Sequence, residues 1–221
     1  MAHTLDPAPS HRRPQTLNSP APVAQRPLIL GVGGTTRAGS TTERALTVAL
    51  GAAAAAGADT VLISGPDLVL PMYTTDVAAR TPAATRLVEL YRQCAGLIIA
   101  SPAYHGSLSG LIKNVLDYAE DLRMDDRAYF DGTAVGVIAC AGGWQAAVQT
   151  LATIRAIAHA LRGWPTPLGA ALNTSVRLFD DAGACLDLSS RFQLESVGRQ
   201  VVEFAVMRQG LAARTSPLTA G

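Results

Sequence analysis

With 221 residues the chain is long enough for one domain that buries its own core without disulfides or a structural metal. Its formal net charge of +1 provides no overall field that recommends nucleic acid or an anionic membrane as partner. Three cysteines, Cys94, Cys140 and Cys185, form no CxxC pair and read as buried thiols of a reducing, cytoplasmic compartment.

In chain order, residues 1–26 are rich in Pro, Ser, Ala and Gln and read as a disordered N-terminal extension. No continuous apolar run follows their basic residues, so no signal peptide is expected. Nor does any stretch approach the roughly 20 apolar residues of a membrane span. From residue 28 on, apolar runs alternate with helical stretches. Strands are predicted at 28–33, 60–64, 96–101 and 134–140, with a weaker one at 167–172. Helices are predicted near 42–56, 82–94, 109–122 and 145–161, and a last amphipathic one over 189–208. Such alternation implies a parallel α/β sheet covered on both faces. Ligands of such sheets bind beyond the carboxyl ends of the strands, so the loops after the first, third and fourth strands are the informative ones.

The first of these loops is Gly33-Gly34-Thr35-Thr36-Arg37-Ala38-Gly39-Ser40-Thr41-Thr42. Its glycines allow a sharp turn and close approach, and its hydroxyls and one guanidinium surround the start of the next helix, where free N–H groups favour an anion. The loop lacks the lysine of a GxxxxGK[ST] motif and the spacing of GxGxxG, and it suits a phosphate monoester such as that of FMN. The plainer reading is a strand–helix connection capped by Ser40 or Thr41, with Arg37 on the surface.

The third strand leads into Ser101-Pro102-Ala103-Tyr104-His105-Gly106-Ser107-Leu108-Ser109-Gly110, in which Pro102 is expected to stop the strand. Tyr104 is either the wall of a flat ring or simple packing. His105 could donate a proton near neutrality or stand exposed. Lys113 and Asp117 have the spacing of a surface ion pair. The fourth strand ends in Cys140-Ala141-Gly142-Gly143-Trp144, a glycine turn where main chain could meet a ligand edge; Trp144 reads equally as core or as a ring shield. No His, Cys or carboxylate group shows metal-ligand spacing, so no metal is expected.

From about residue 28 to about 205 the chain resembles the NADPH-dependent FMN reductases of the flavodoxin-like superfamily. The family loop G-S-x-R-x-x-S-x-N is matched from Gly34 to Thr42, with Thr for the first Ser and for the final Asn. The family stretch P-E-Y-N-G-S-x-x-G-x-L-K-N-x-x-D is matched from Pro102 to Asp117, departing at Ala103, His105 and Ile112. A Gly-Gly loop after the fourth strand is shared.

The resemblance implies a doubly wound five-stranded sheet of order 2-1-3-4-5, in a domain over 27–209; residues 210–221 read as a flexible tail. It implies that Thr35, Arg37, Ser40, Thr41 and Thr42 hold the FMN phosphate. Pro102, Ala103, Tyr104, His105, Gly106 and Ser107 would line the isoalloxazine, and Gly142 and Gly143 would pass close to it. The implied activity is hydride transfer from NADPH or NADH to flavin N5, with positioning rather than an acid–base residue supplying rate. Reduced flavin could then serve a flavin-dependent monooxygenase. Two alternatives stand beside it: an FMN-containing NAD(P)H reductase of quinones, azo dyes or metal ions, and a flavodoxin-type electron carrier, whose usual strong acidity the charge of +1 lacks. A homodimer or homotetramer is implied as well, in keeping with apolar helices at 109–122 and at the C-terminus.

Overall fold

A computed structural model of the chain describes residues 26–215. The first strand, β1 (Leu28–Gly33), gives way to a loop at Gly34, and α1 (Thr41–Ala55) follows, which Ser40 caps by accepting the Glu43 N–H. Then follow β2 (Asp59–Ile63), a long connection, and α2 (Pro82–Gln93), started by the Thr81 cap and by Pro82 in its first turn. Next are β3 (Gly96–Tyr104), the short β4 (Ser107–Leu108), α3 (Gly110–Asp117) and a 3-10 turn over Tyr118–Leu122. The last third holds β5 (Ala134–Ala141), α4 (Trp144–Ala160), β6 (Trp164–Pro165), β7 (Ala170–Asn173) and α5 (Leu188–Thr215).

The parallel sheet runs β2-β1-β3-β5, and β6 and β7 share the fifth position, against the start and the end of β5. This is the expected five-position order, with two differences. The fifth strand, predicted over 167–172, is broken in two. Pro165 and Pro167 bring no N–H; between the halves Thr166 N–H still reaches β5, at the Val135 carbonyl, and the rest is tied by Leu168 N–H to Gln200 and by the Arg155 guanidinium to the Thr166 carbonyl. Second, Pro102 does not stop β3. The β1 ladder ends at Gly33 opposite Ala100, so on that flank the proline has no bond to lose, and β3 continues to Tyr104 by pairing with β4. The C-terminal helix also runs past the expected 208, to Thr215. Residues 1–25 and 216–221 lie outside the described residues, and with them all of the expected extension but Arg26; of the tail expected to be flexible over 210–221, residues 210–215 are instead the last turns of α5.

Side chains alternate between the two faces as a doubly covered strand requires. Leu30, Val32, Leu97, Ile99, Val135 and Val137 face α2, α3 and α4; Ile29, Ile98, Ala134 and Ile138 face α1 and α5. The second face is packed through small residues. A side chain at Gly198 of α5 would begin 2.1 Å from the Ala49 carbonyl of α1, so the helices cross at backbone contact. Because β1 lies between β2 and β3, the chain leaves β1 toward α1 and leaves β3 toward α3 on the opposite face. The crevice of the switch point therefore opens between these two loops. Among the described residues no helix is long and apolar enough to cross a membrane.

Candidate functional site at the switch point

The loop after β1 is built to leave its N–H groups free. Gly34 (φ 122°) and Gly39 (φ 71°) hold left-handed conformations that a β-carbon would strain. Thr35 turns inward on the loop: its Oγ1 accepts from Arg37 N–H at 3.1 Å and donates to the Arg37 carbonyl at 3.2 Å. Gly34 N–H bonds Ala100 at the end of β3, fastening the loop to the sheet at 3.3 Å. Among the described residues, the N–H groups of Thr35, Thr36, Ala38, Gly39, Ser40, Thr41 and Thr42 have no acceptor. Together with the start of the 15-residue α1 they present a cluster of free donors of the kind that suits an anion, with the Arg37 side chain exposed beside it.

A second guanidinium flanks this cluster. Arg44 donates to the Gly39 carbonyl (3.1 Å) and to the Asp180 carbonyl (2.7 Å), and among the described residues it meets no carboxylate. Beneath the loop, Oε2 of Glu43 is buried without a hydrogen-bond partner, and Cβ of Glu43 is 3.5 Å from where a side chain at Gly34 would begin. Of the predicted phosphate residues, Thr42 stands apart. It is buried, and its hydroxyl lies against the Cys140 thiol at the end of β5, whose pKa burial pushes up to about 12 while that hydroxyl pulls it down. Cys94 is likewise pushed up, to about 11, by burial, so both thiols are protonated and unreactive at neutral pH.

The loop after β3 is a two-residue hairpin. Tyr104 pairs with Ser107, and His105 (φ 52°) and Gly106 (φ 84°) both adopt positive φ, the signature of a type I′ turn. Asn-Gly is the favoured pair there, and His105 takes the Asn place because His, too, tolerates the left-handed region. The turn is backed by α4: a side chain at Gly106 would begin 3.1 Å from Gln149 Nε2. Pro102 and Ala103 are half-buried, and Tyr104 projects from the rim with 54% of its surface exposed. After β5, nothing lies within 4 Å of where side chains at Gly142 and Gly143 would begin, and their N–H groups have no acceptor among the described residues. Gly143 is the N-cap of α4. The three loops thus leave adjacent strands at one end of the sheet, with Gly33 opposite Ala100 and Pro102 opposite Cys140.

Residues outside the sequence expectation hold this rim in place. Ser101, wholly buried, accepts the Ser109 N–H at 3.0 Å, and Ser109 caps α3. Asn114 accepts Tyr73 N–H (2.8 Å) and donates to the Leu70 and Pro71 carbonyls, so it fixes the connection after β2. That connection is further held by Arg80, which grips Asp121 with two bonds of 2.7 Å and lies over the rings of Tyr73 and Tyr118. The Arg80 bond holds the Asp121 carboxyl below the usual carboxylate range, against burial that raises it. A serine or asparagine in a helical stretch carries no sign of such a distant partner, so only its burial reveals it. Lys113 and Asp117 form the expected exposed ion pair, at 2.5 Å. Among the described residues no cluster of His, Cys, Asp and Glu could hold a metal ion.

The fold and the three glycine-bearing loops define a flavodoxin-like protein, and solved structures of that fold superpose on it. They include FerB, a flavoenzyme NAD(P)H:(acceptor) oxidoreductase from Paracoccus denitrificans (TM-score 0.67, 18% identity, 82% of this chain and 98% of that one). The NADH:FMN oxidoreductase EMOB in its apo form also matches (TM-score 0.61, 19% identity, 82% and 89%). A family model described as NADPH-dependent FMN reductase matches residues 27–175, and the chain belongs to that family. Among curated proteins, the FMN-dependent NADPH-azoreductase of Staphylococcus aureus strain USA300 is 36% identical over 100 residues, 45% of this chain. The matched stretch spans 50% of the length of that relative.

Proposed function

We propose that the chain is an NAD(P)H-dependent FMN reductase that holds FMN across the three loops. The observation that carries this reading is the run of N–H groups from Thr35 to Thr42, all but that of Arg37 without an acceptor among the described residues, beside the Arg37 guanidinium and at the switch point of the sheet. A phosphate monoester matches that cluster of donors in charge and in acceptor count, and Arg37, Ser40, Thr41 and the loop N–H groups would hold it. The ribityl chain carries the hydroxyl donors that the buried, unpartnered Glu43 oxygen requires. Tyr104 and the His105-Gly106 turn would form one wall for the flat ring. The bare Gly142-Gly143 backbone would leave room on the other side and offer N–H groups to the ring carbonyls.

When bound, the flavin supplies the redox chemistry, taking a hydride from the nicotinamide. The chain's own contribution is to grip the phosphate, to keep the turn after β3 in one conformation through its pairing with β4, and to stabilise negative charge with backbone donors. No side-chain acid is required for that task, and His105 serves the turn through its backbone. Family membership supports NADPH as donor. A second reading, in which FMN stays bound and electrons pass to an azo compound or quinone, is favoured by the azoreductase relative. Apolar Val206 and Met207, exposed on the outer end of α5, support a homo-oligomer. Release of reduced flavin to a monooxygenase would follow if FMN is exchanged at each turnover.

The test is an absorbance scan of the purified protein, followed by NADPH and NADH oxidation with and without added FMN. Flavin-dependent nicotinamide oxidation is expected. FMN binding without any such oxidation would leave an electron carrier, and no binding would end the reading.

A further inference from the structure

One large side chain at the rim has no role in holding the loops. Trp144 is the first residue of α4, directly after the two bare glycines, and 57% of its surface is exposed. In a first helical turn the Cα–Cβ bond leans toward the helix N-terminus, which here is the rim of the site. Its ring meets no other aromatic ring among the described residues, and its Nε1–H has no acceptor. One turn on, Val148 is 56% exposed and extends the apolar surface along the helix. An indole and a valine exposed together beside a glycine turn make an apolar patch whose burial under a flat apolar molecule would be favourable.

The surroundings restrict what that is. From Ala103 to Ile112 and from Gly142 to Ile154 the chain carries no Asp, Glu, Lys or Arg. The cations Arg37 and Arg44 belong to the loop after β1. Along these two stretches a dinucleotide's phosphates find no counter-charge, and Arg177, in the loop that follows β7 and bonds the end of β5, is already paired with Asp181, whereas a neutral planar molecule needs no counter-charge. Tyr104, exposed at the end of the adjacent strand, adds a second aromatic surface to the same rim.

We propose that Trp144 is the stacking platform of an acceptor subsite for neutral planar aromatics of the quinone class, an inference that rests on the flavin-reductase reading above. The overall reaction balances as NADPH plus one proton plus a quinone giving NADP+ and a hydroquinone: two electrons and one proton leave the nicotinamide as hydride, and the second proton comes from water.

The chain has two tryptophans, and the other, Trp164, packs on Phe204 at the opposite end of the sheet, where β6 meets the start of β5. In a Trp164→Phe background Trp144 is therefore the only indole, and its emission reports the subsite directly. FMN-loaded protein without nicotinamide is titrated with menadione, and saturable quenching is expected. In steady state, Trp144→Ala should raise KM for menadione about tenfold, the scale of one lost aromatic stack. The FMN dissociation constant, KM for NADPH and the rate with ferricyanide, a charged and non-planar acceptor, should stay within about twofold. Trp144→Phe should restore most of the menadione KM. Quenching that rises linearly without saturation, or an unchanged menadione KM, overturns the proposal. So does a rise in the FMN dissociation constant or in the NADPH KM, either of which would assign the indole to another ring. If the wild type oxidises no NADPH with either acceptor, the reductase reading fails, while the equilibrium titration still decides the subsite.

Discussion

Two loops leave adjacent strands at the same end of the sheet, and they are built on opposite principles. After β1, residues 34–40 spend almost none of their N–H groups on the protein itself, and the guanidinium of Arg37 stands in solvent. After β2, residues 69–80 are tied down by side chains of other elements and of the loop itself. Asn114 takes a backbone N–H and serves two carbonyls, Tyr118 donates to the Pro71 carbonyl, and Arg80 is locked between Asp121 and the Thr74 and Asp76 carbonyls. A loop held by buried side-chain partners such as Asn114 and Asp121 is a piece of scaffold, whereas the exposed loop after β1 keeps its donors and one guanidinium available to a ligand.

The sharpest way to break the contrast is to remove one side-chain partner of the loop after β2. The side chains of Arg80 and Asp121 are each only 8% exposed. Asp121→Ala leaves a buried guanidinium uncompensated, and stability should fall by about 3–5 kcal/mol in denaturant titration. FMN affinity of the protein that remains folded should be unchanged; a parallel loss would mean that the loops are one unit. Asp121 also sets a pH dependence. Its folded pKa lies below the unfolded value near 4, so its contribution is present above that value and is lost as pH falls through the folded pKa. The stability gap between wild type and Asp121→Asn should therefore narrow below about pH 4. A gap that stays constant into stronger acid would show that the Arg80 pairing does not depend on charge.

In the open loop the pattern should invert. Arg37→Ala should weaken FMN binding by about 1.5–3 kcal/mol, measured by quenching of flavin fluorescence, with the melting temperature of the ligand-free protein unmoved. An unchanged dissociation constant would remove Arg37 from the phosphate site. A smaller effect belongs to the hairpin. His105→Val puts a β-branched residue in the left-handed region and should cost about 1–2 kcal/mol of stability, whereas His105→Asn should cost nothing. Equal losses from both would mean that the imidazole, not the backbone, matters there. Lys113→Ala should be the mildest, at a few tenths of a kcal/mol, because its ion pair with Asp117 is exposed.

Much of this was legible beforehand because it is local. The alternation of apolar runs and helical stretches follows from side-chain periods of two and 3.6, and the glycines at 34, 39 and 106 sit where the backbone needs positive φ. The break in the fifth strand was foreseeable in kind from Pro165 and Pro167, but which residues on each side would still pair was not. The run of β3 through Pro102 was misjudged, since a proline's cost in a strand depends on whether a neighbour is there to accept its missing bond. In this molecule β1 has already ended.

By itself the sequence determined the doubly wound class, the positions of the three loops and their glycine and hydroxyl chemistry, since these depend on residue type and near neighbours along the chain. Only the tertiary structure decided which polar groups are spoken for. It turned the Thr42 hydroxyl toward Cys140, gave Asn114 and Arg80 to the loop after β2, and left Trp144 in the open. The first three of those outcomes depend on partners 41 to 98 residues away, and a hydrogen bond or a buried surface is settled by distance in space, on which spacing in the chain is silent.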